Sequence, residues 1–359
     1  MNQPARTYAL IIEPAVLAFE SLQYHHTSMN IGPRSLTLAA AATLGVAACT
    51  PPAAQPQRPQ QPSVATQPSA AALPQSSAFH YNQTPNQYVK VDGVRLAYRT
   101  VGTDTGEPPL VLLQHFTGTM DDWDPEVVEG LARGRRIYVF DNAGVGASDG
   151  VTPDSLERMS RYAEGFVDAL HLGTVDLLGF SMGGAIAQQI LFDRPSGVRK
   201  AVLAGTATKG TPGVEKLPAL VAETFRRAAK ERSHPKMFLF FTETAAGKLA
   251  GSQFLGRIGK HTVDPDPPST DACAAAQLKA IVAWAVAPAD NARLAAIKQP
   301  VLIVNGSNDV MAPTSASYDL FQHIPRSQLV LYPDSGHGAL FQYHEAFVRE
   351  VDAFLRGSL

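Results

Sequence analysis

The 359-residue chain is poor in cysteine, holding only Cys49 and Cys273. Two thiols allow neither a disulfide framework nor a four-thiolate zinc site. There is no excess of either charge: 30 Lys and Arg stand against 32 Asp and Glu, for a formal net charge of −2. Nucleic-acid binding calls for clustered basic surface, so no nucleic-acid partner is expected. The chain contains no His-Glu-x-x-His and no paired Cys-x-x-Cys, and its histidines show no ligand spacing, so no metal is expected. The pair Gly144 and Gly146 lacks the third glycine and the later acidic partner of a dinucleotide fingerprint, and no other cofactor signature stands out. Long hydrophobic runs are missing too. The uncharged stretch Leu36 to Ala48 has 13 residues, short of the roughly 20 that a bilayer crossing needs. What is present is 45% apolar residues with 17% charged ones, enough for a sizeable core and incompatible with global disorder.

The front of the chain differs from the rest. Met29-Asn30-Ile31-Gly32-Pro33-Arg34 supplies one positive charge, the apolar stretch follows, and Val46-Ala47-Ala48-Cys49 closes it. Charge, apolar core and small residues in this order suit a secretory signal. The tetrapeptide resembles the lipobox of bacterial lipoproteins, which implies a signal peptide over 29–48 and lipid attachment at Cys49. A cleaved signal with an incidental cysteine, or a buried Ala-rich helix, is the alternative. Residues 1–28 carry two acids and fit no signal head, so they read as an upstream extension, with Met29 as the expected start. From Pro51 to Ala78 there are seven prolines, six glutamines and one arginine. Such a segment cannot bury enough apolar area to offset its ordering entropy, so 49–80 is expected to be an extended tether. The expected location is the bacterial cell envelope, with contact to the membrane only through the anchor. Thr50 after the cysteine favours the outer membrane where the cell has one.

Residues 81–359 remain for the fold. Tyr88 to Tyr98 alternates inward and outward residues around Asp92-Gly93, a strong hairpin signal. Six short apolar runs follow, beginning at Leu110, Arg136, Val175, Ala201, Val301 and Leu329, with helical spacing between them, as in Asp154 to Leu172 and Met182 to Phe192. Near-continuous apolar strands alternating with helices predict an α/β fold, an eight-stranded and mostly parallel sheet covered on both faces. The rhythm breaks between Ala204 and Val301, where only helical stretches occur. An insertion of this length after the sixth strand, about 208–295, reads as a helical cap over a site; the bland reading is a thickened core.

Gly179-Phe180-Ser181-Met182-Gly183 directly follows the apolar run from Val175 and opens the helix from Met182. A serine on a sharp strand-to-helix turn projects its hydroxyl, and glycines on either side remove Cβ atoms that would collide. The hydroxyl needs a base, and the base needs an orienting carboxylate. Asp309, just past the run ending at Val304, and His337, just past the last strand, are the candidates. Each of the three stands at the C-terminal end of a strand, the edge where such sheets bind ligands. Asp141 reads as part of a glycine turn, and Asp334 is too near His337 in sequence to orient it. Cys273 reads as a small apolar residue of the insertion.

With Gly179 to Gly183, Asp141 to Ser148 after a strand, Gly306 to Asp309, and Gly336-His337, residues 85–359 resemble the α/β-hydrolase superfamily. The resemblance implies Ser181 as nucleophile, His337 as general base and then acid, Asp309 as its orienter, and no cofactor. It also implies an oxyanion hole made by the backbone N–H groups of Met182 and Phe116. One departure stands out: Gln114-His115-Phe116 puts His115 where the family has glycine. His115 is either a substrate contact or a ring packed under the loop and bonded to backbone.

A small-molecule substrate is expected, and the aromatic residues of the insertion, among them Phe238, Phe241 and Trp284, suggest an apolar acyl or alcohol part. A carboxylic-ester hydrolase acting through an acyl-enzyme is the leading expectation. The same three residues could serve a cofactor-free perhydrolase or haloperoxidase, a carbon–carbon bond hydrolase or an amidase. A binding protein that merely keeps the pocket is the remaining reading. Subunit association is left open.

Overall fold

The computed structural model describes residues 80–357. The signal-like segment, Met29, Cys49 and all but the last residue of the tether lie outside the described residues. Among the described residues no helix is long and apolar enough to cross a membrane.

The chain enters a hairpin of β1 (Gln87–Val91) and β2 (Val94–Val101), paired from Gln87 with Tyr98 to Val91 with Val94. The connecting Asp92 and Gly93 both have positive φ, 47° and 85°, which suits the primed turn that such strand twist requires. Then come β3 (Leu110–Leu113), β4 (Ile137–Phe140), β5 (Val175–Phe180), β6 (Val198–Ala204), β7 (Val301–Gly306) and β8 (Ser327–Tyr332). They form one eight-stranded sheet in the order β1-β2-β4-β3-β5-β6-β7-β8. Only β2 runs against its neighbours; from β4 to β8 every pairing is parallel.

Helices cover both faces, and the strand sequences show why. Every residue of β3, β5 and β7 is buried, and consecutive residues go to opposite sides. Leu110, Leu112, Leu178, Phe180, Leu302 and Val304 belong to one core, with residues of α1 (Pro125–Ala132) and α11 (His344–Arg356). Val111, Leu113, Leu177, Val301 and Ile303 belong to the other, with α2 (Leu156–Ala169), α3 (Met182–Asp193) and α9 (Thr314–His323). Each such side chain contributes about 1.5–3 kcal/mol on burial. A one-residue slip in any of these strands would exchange the two cores.

Between β6 and β7 lie α4 (Leu217–Glu231), α5 (Pro235–Phe240), α6 (Ala245–Ile258), α7 (Asp271–Val286) and α8 (Asn291–Ala296). The regular elements of the insertion are all helices, as its spacing predicts. Its starts are locally encoded. Pro235 sits at the first position of α5, and Thr244 and Thr270 cap α6 and α7 by accepting from the N–H groups of Gly247 and Cys273. α10 (Ala339–Gln342) is a single turn after the last strand.

Candidate active site

Ser181 is the hinge between β5 and α3. Its φ of 56° and ψ of −118° place it outside the ordinary regions for a non-glycine residue, a conformation that costs about 1–3 kcal/mol and clusters at functional sites. The surroundings leave no alternative. A Cβ on Gly179 would lie 2.3 Å from the Gly183 carbonyl oxygen, and one on Gly183 would lie 2.0 Å from that of Leu113. The helix can therefore start this close to the sheet only with glycine at both places. The Ser181 N–H donates to the Ala204 carbonyl at 2.8 Å, which ties the turn to the end of β6.

Asp309 and His337 come from the loops after β7 and β8. The imidazole Nδ1 lies 2.8 Å from Asp309 Oδ2, and both side chains are buried. Asp309 Oδ1 accepts the backbone N–H groups of Met311 and Ala312 at 2.8 and 3.0 Å. With one oxygen held by backbone and the other on Nδ1, the ring is oriented and Nδ1 is the protonated nitrogen when the carboxylate is ionised. Nε2 is buried and, among the described residues, without a hydrogen-bond partner. Phe180 and Phe240 flank the ring at 4.9 and 5.6 Å between centroids.

Ser181 and His337 line one cavity, with about 460 Å³ of atom-free space that is partly open to solvent. Phe116 and Met182 line it as well. Met182 is the first residue of α3, so its N–H has no acceptor inside the helix. Among the described residues the Phe116 N–H has no hydrogen-bond acceptor either. The remaining wall is apolar: Leu156, Ala185, Val214, Leu217, Ile281, Trp284, Met311 and Ala312, with Thr206 as the polar exception. A second hollow of about 330 Å³, lined by Val111, Leu177, Glu164 and Arg194 among others, holds no serine or cysteine.

The family model of the alpha/beta hydrolase fold matches residues 108–342. The chain belongs to the α/β-hydrolase family. A pimeloyl-[acyl-carrier protein] methyl ester esterase of Nitrosomonas europaea is 30% identical to this hydrolase over 266 residues, 70% of this chain and 98% of that protein. A 2-hydroxy-6-oxononadienedioate/2-hydroxy-6-oxononatrienedioate hydrolase of Burkholderia vietnamiensis is 27% identical over 300 residues, 78% of this chain and 99% of that one. Among solved structures, an α/β-hydrolase fold protein from Chitinophaga pinensis is 39% identical with a TM-score of 0.74, covering 77% of this chain and 99% of its own. The chain is thus an enzyme of the hydrolase class.

Not every residue singled out from the sequence reaches the cavity of this hydrolase. Trp284 lines it. Phe241 instead joins the core with Phe240 and Phe254, and Phe238 lies under the Arg227 guanidinium, 4.2 Å from its ring centre. Neither lines the cavity, because the core takes up Phe241, just past the end of α5, and the Arg227 cation covers Phe238. His115 is buried between Phe180 and Phe240, at 5.2 and 5.3 Å between centroids, and is not part of the cavity wall. Its Nδ1 lies 2.5 Å from the side-chain oxygen of Gln114, so its ring bonds a side chain rather than the backbone. Gly118 gives it room, since a Cβ there would be 2.5 Å from the imidazole. Burial, followed by the Lys236 ammonium, pushes the His115 pKa down to about 3, so the ring is neutral. Asp141 accepts the N–H groups of Met120 and Ala147 with its two oxygens, and burial pushes its carboxyl well above the usual range. Asp334 binds Thr242 and Thr244 of the insertion. The wall residues Leu156, Thr206, Val214, Leu217 and Ile281 had no signal in the sequence, because ordinary aliphatic residues from separate segments carry no motif.

Proposed function

We propose that this hydrolase is a serine esterase that works through an acyl-enzyme on small or medium carboxylic esters with an apolar acyl or alcohol part. The observation that carries this reading is the imidazole of His337, held through Nδ1 by Asp309, with Ser181 on the same cavity wall. His337 Nε2 takes the proton of Ser181 as the hydroxyl attacks the ester carbonyl. The tetrahedral oxyanion is received by the N–H groups of Met182 and Phe116, aided by the positive end of α3. On collapse, the protonated imidazole gives its proton to the leaving alcohol. A water activated by the same nitrogen then attacks the acyl-enzyme, releasing the acid and restoring Ser181.

The wall favours uncharged chains. Apart from His337, it has no ionisable side chain to neutralise a carboxylate. A panel of p-nitrophenyl esters tests this: turnover of butyrate or hexanoate by the wild type, absent in Ser181→Ala, is expected. A preference for charged esters or peptides would overturn the substrate class. Failure of a fluorophosphonate probe to label the wild type at Ser181 would overturn the mechanism.

A second reading is favoured by the Burkholderia relative, whose name gives a 2-hydroxy-6-oxo dienedioate as its substrate. On it, the same three residues act on a carbon–carbon bond. Turnover of a vinylogous diketone faster than any ester would establish it. At the front of the chain, Cys49 carries a lipid that holds the enzyme at the bacterial envelope. Incorporation of an alkyne-tagged fatty acid, lost in Cys49→Ser, is the expected result.

A further inference from the structure

The loop that carries His337 is fastened on two sides. Towards the sheet, the Asn308 N–H donates to the Ser335 carbonyl at 2.9 Å, so the Asp309 loop and the histidine loop share a backbone bond. Towards the insertion, the fastening is denser. The Gly338 N–H donates to the Phe240 carbonyl at 2.9 Å. A Cβ on Gly336 would lie 2.8 Å from that same Phe240 oxygen, and one on Gly338 would lie 2.8 Å from the Phe240 Cβ. His337 is thus bracketed by two glycines that lie directly on the last residue of α5. Beyond them, Asp334 forms a fork: Oδ1 accepts from the Thr242 hydroxyl at 2.9 Å and Oδ2 from the Thr244 hydroxyl at 2.8 Å. Its carbonyl accepts from Gln342 Nε2 at 2.8 Å, and its φ of 43° is left-handed. Thr244 is at the same time the cap of α6. One carboxylate therefore joins the junction of α5 and α6 to the loop that places the imidazole.

We infer that Asp334 is a positioning residue: through Thr242 and Thr244 it clamps the inserted helices to the His337 loop, so that the placement of the imidazole depends on the placement of the insertion. This rests on the reading of His337 as the general base. Neither Asp334, Thr242 nor Thr244 lines the cavity. The clamp therefore acts on the step that needs His337 aligned and leaves substrate binding untouched. Charge-assisted hydrogen bonds are the stronger kind, and misplacement of a reacting group by about 1 Å costs on the order of 100-fold in rate.

The test uses the full chain and three variants. Asp334→Gly tolerates the positive φ and removes both acceptors. Asp334→Asn tolerates it as well and keeps one acceptor. Thr242→Val keeps the shape and removes one donor from the opposite side. With p-nitrophenyl butyrate, Asp334→Gly and Thr242→Val should lower kcat about 10- to 100-fold and leave KM within about twofold. Asp334→Asn should regain part of the loss. The double variant Asp334→Gly/Thr242→Val should be no slower than Asp334→Gly alone, as expected for two ends of one contact. Unchanged kcat in both single variants, a loss confined to KM, or a loss that merely follows the folded fraction in a thermal melt would overturn the clamp.

A second readout does not depend on ester turnover. The downfield proton resonance of the His337 Nδ1–H should exchange faster with solvent in Asp334→Gly and Thr242→Val than in the wild type, and equal exchange rates would overturn the clamp. A wild type that turns over no ester while the resonance still responds would defeat the esterase reading and leave the clamp standing.

Discussion

The rim of the sheet and the inserted helices build the site by different means. At the rim, backbone fixes each polar group: the strained turn of Ser181 on the Ala204 carbonyl, the Asp309 carboxylate on two N–H groups, and the Met182 N–H at the start of a helix. The insertion contributes mostly apolar surface, and its share of the cavity wall, Val214, Leu217, Ile281 and Trp284, has shape but no acid or base. Chemistry and selectivity are therefore separable by mutation. The rim, together with the clamp residues Thr242 and Thr244, should answer in kcat across all substrates, and the wall residues of the insertion in the ranking of substrates.

The largest effect tests the rim. Ser181→Ala should lower ester turnover by about 10⁶-fold without shifting the melting temperature, because the methyl group retains the packing of the turn. Steady-state rates and a thermal melt on the same preparation check both halves. Asp309→Asn comes next, at about 10⁴-fold in kcat with KM little changed. An amide can present its NH₂ to Nδ1 and so favour the wrong tautomer. If either variant changed the ranking of esters instead, rim and insertion would not be separable.

On the other side, Leu217→Ala widens the cavity. The ratio of kcat/KM for hexanoate to that for acetate should rise, by a factor within about 10–200, with acetate turnover near the wild-type value. An ester panel reads this directly. A uniform fall on every ester would instead mean that the wall supports the rim.

The smallest effect concerns stability. An imidazole held at about 3 in the fold and near 6.5 when unfolded makes the unfolded chain bind the extra proton between those values. The stability of the neutral His115 is complete above pH 6.5 and is lost as pH falls towards 3, at up to about 1.4 kcal/mol per pH unit. Melting curves over that range should show a shallower slope in His115→Asn than in the wild type. Identical slopes would mean that the ring is not buried in solution.

Much of this was legible beforehand, for a physical reason. Strands buried on both faces must be apolar along their whole length, so Leu110–Leu113 and Val301–Val304 announce themselves. A serine forced through a tight turn needs glycines at fixed offsets, so Gly179 and Gly183 mark Ser181. The aromatic residues of the insertion were less readable. Phe238, Phe241 and Trp284 look alike as helical aromatics, and only packing separates Trp284, on the cavity, from Phe241, in the core, and Phe238, under Arg227. Asp334 offered only its nearness to His337 in the sequence, and its partners lie 92 and 90 residues away.

By itself the sequence determined the strand pattern, the helical insertion and the strand ends where Ser181, Asp309 and His337 stand, since periodicity and glycine spacing act over a few neighbouring residues. The tertiary structure decided which side chains share a cavity, where His115 packs and what Asp334 holds. Those depend on distances between segments far apart in the chain, set by how helices settle on a twisted sheet, and no local pattern encodes them.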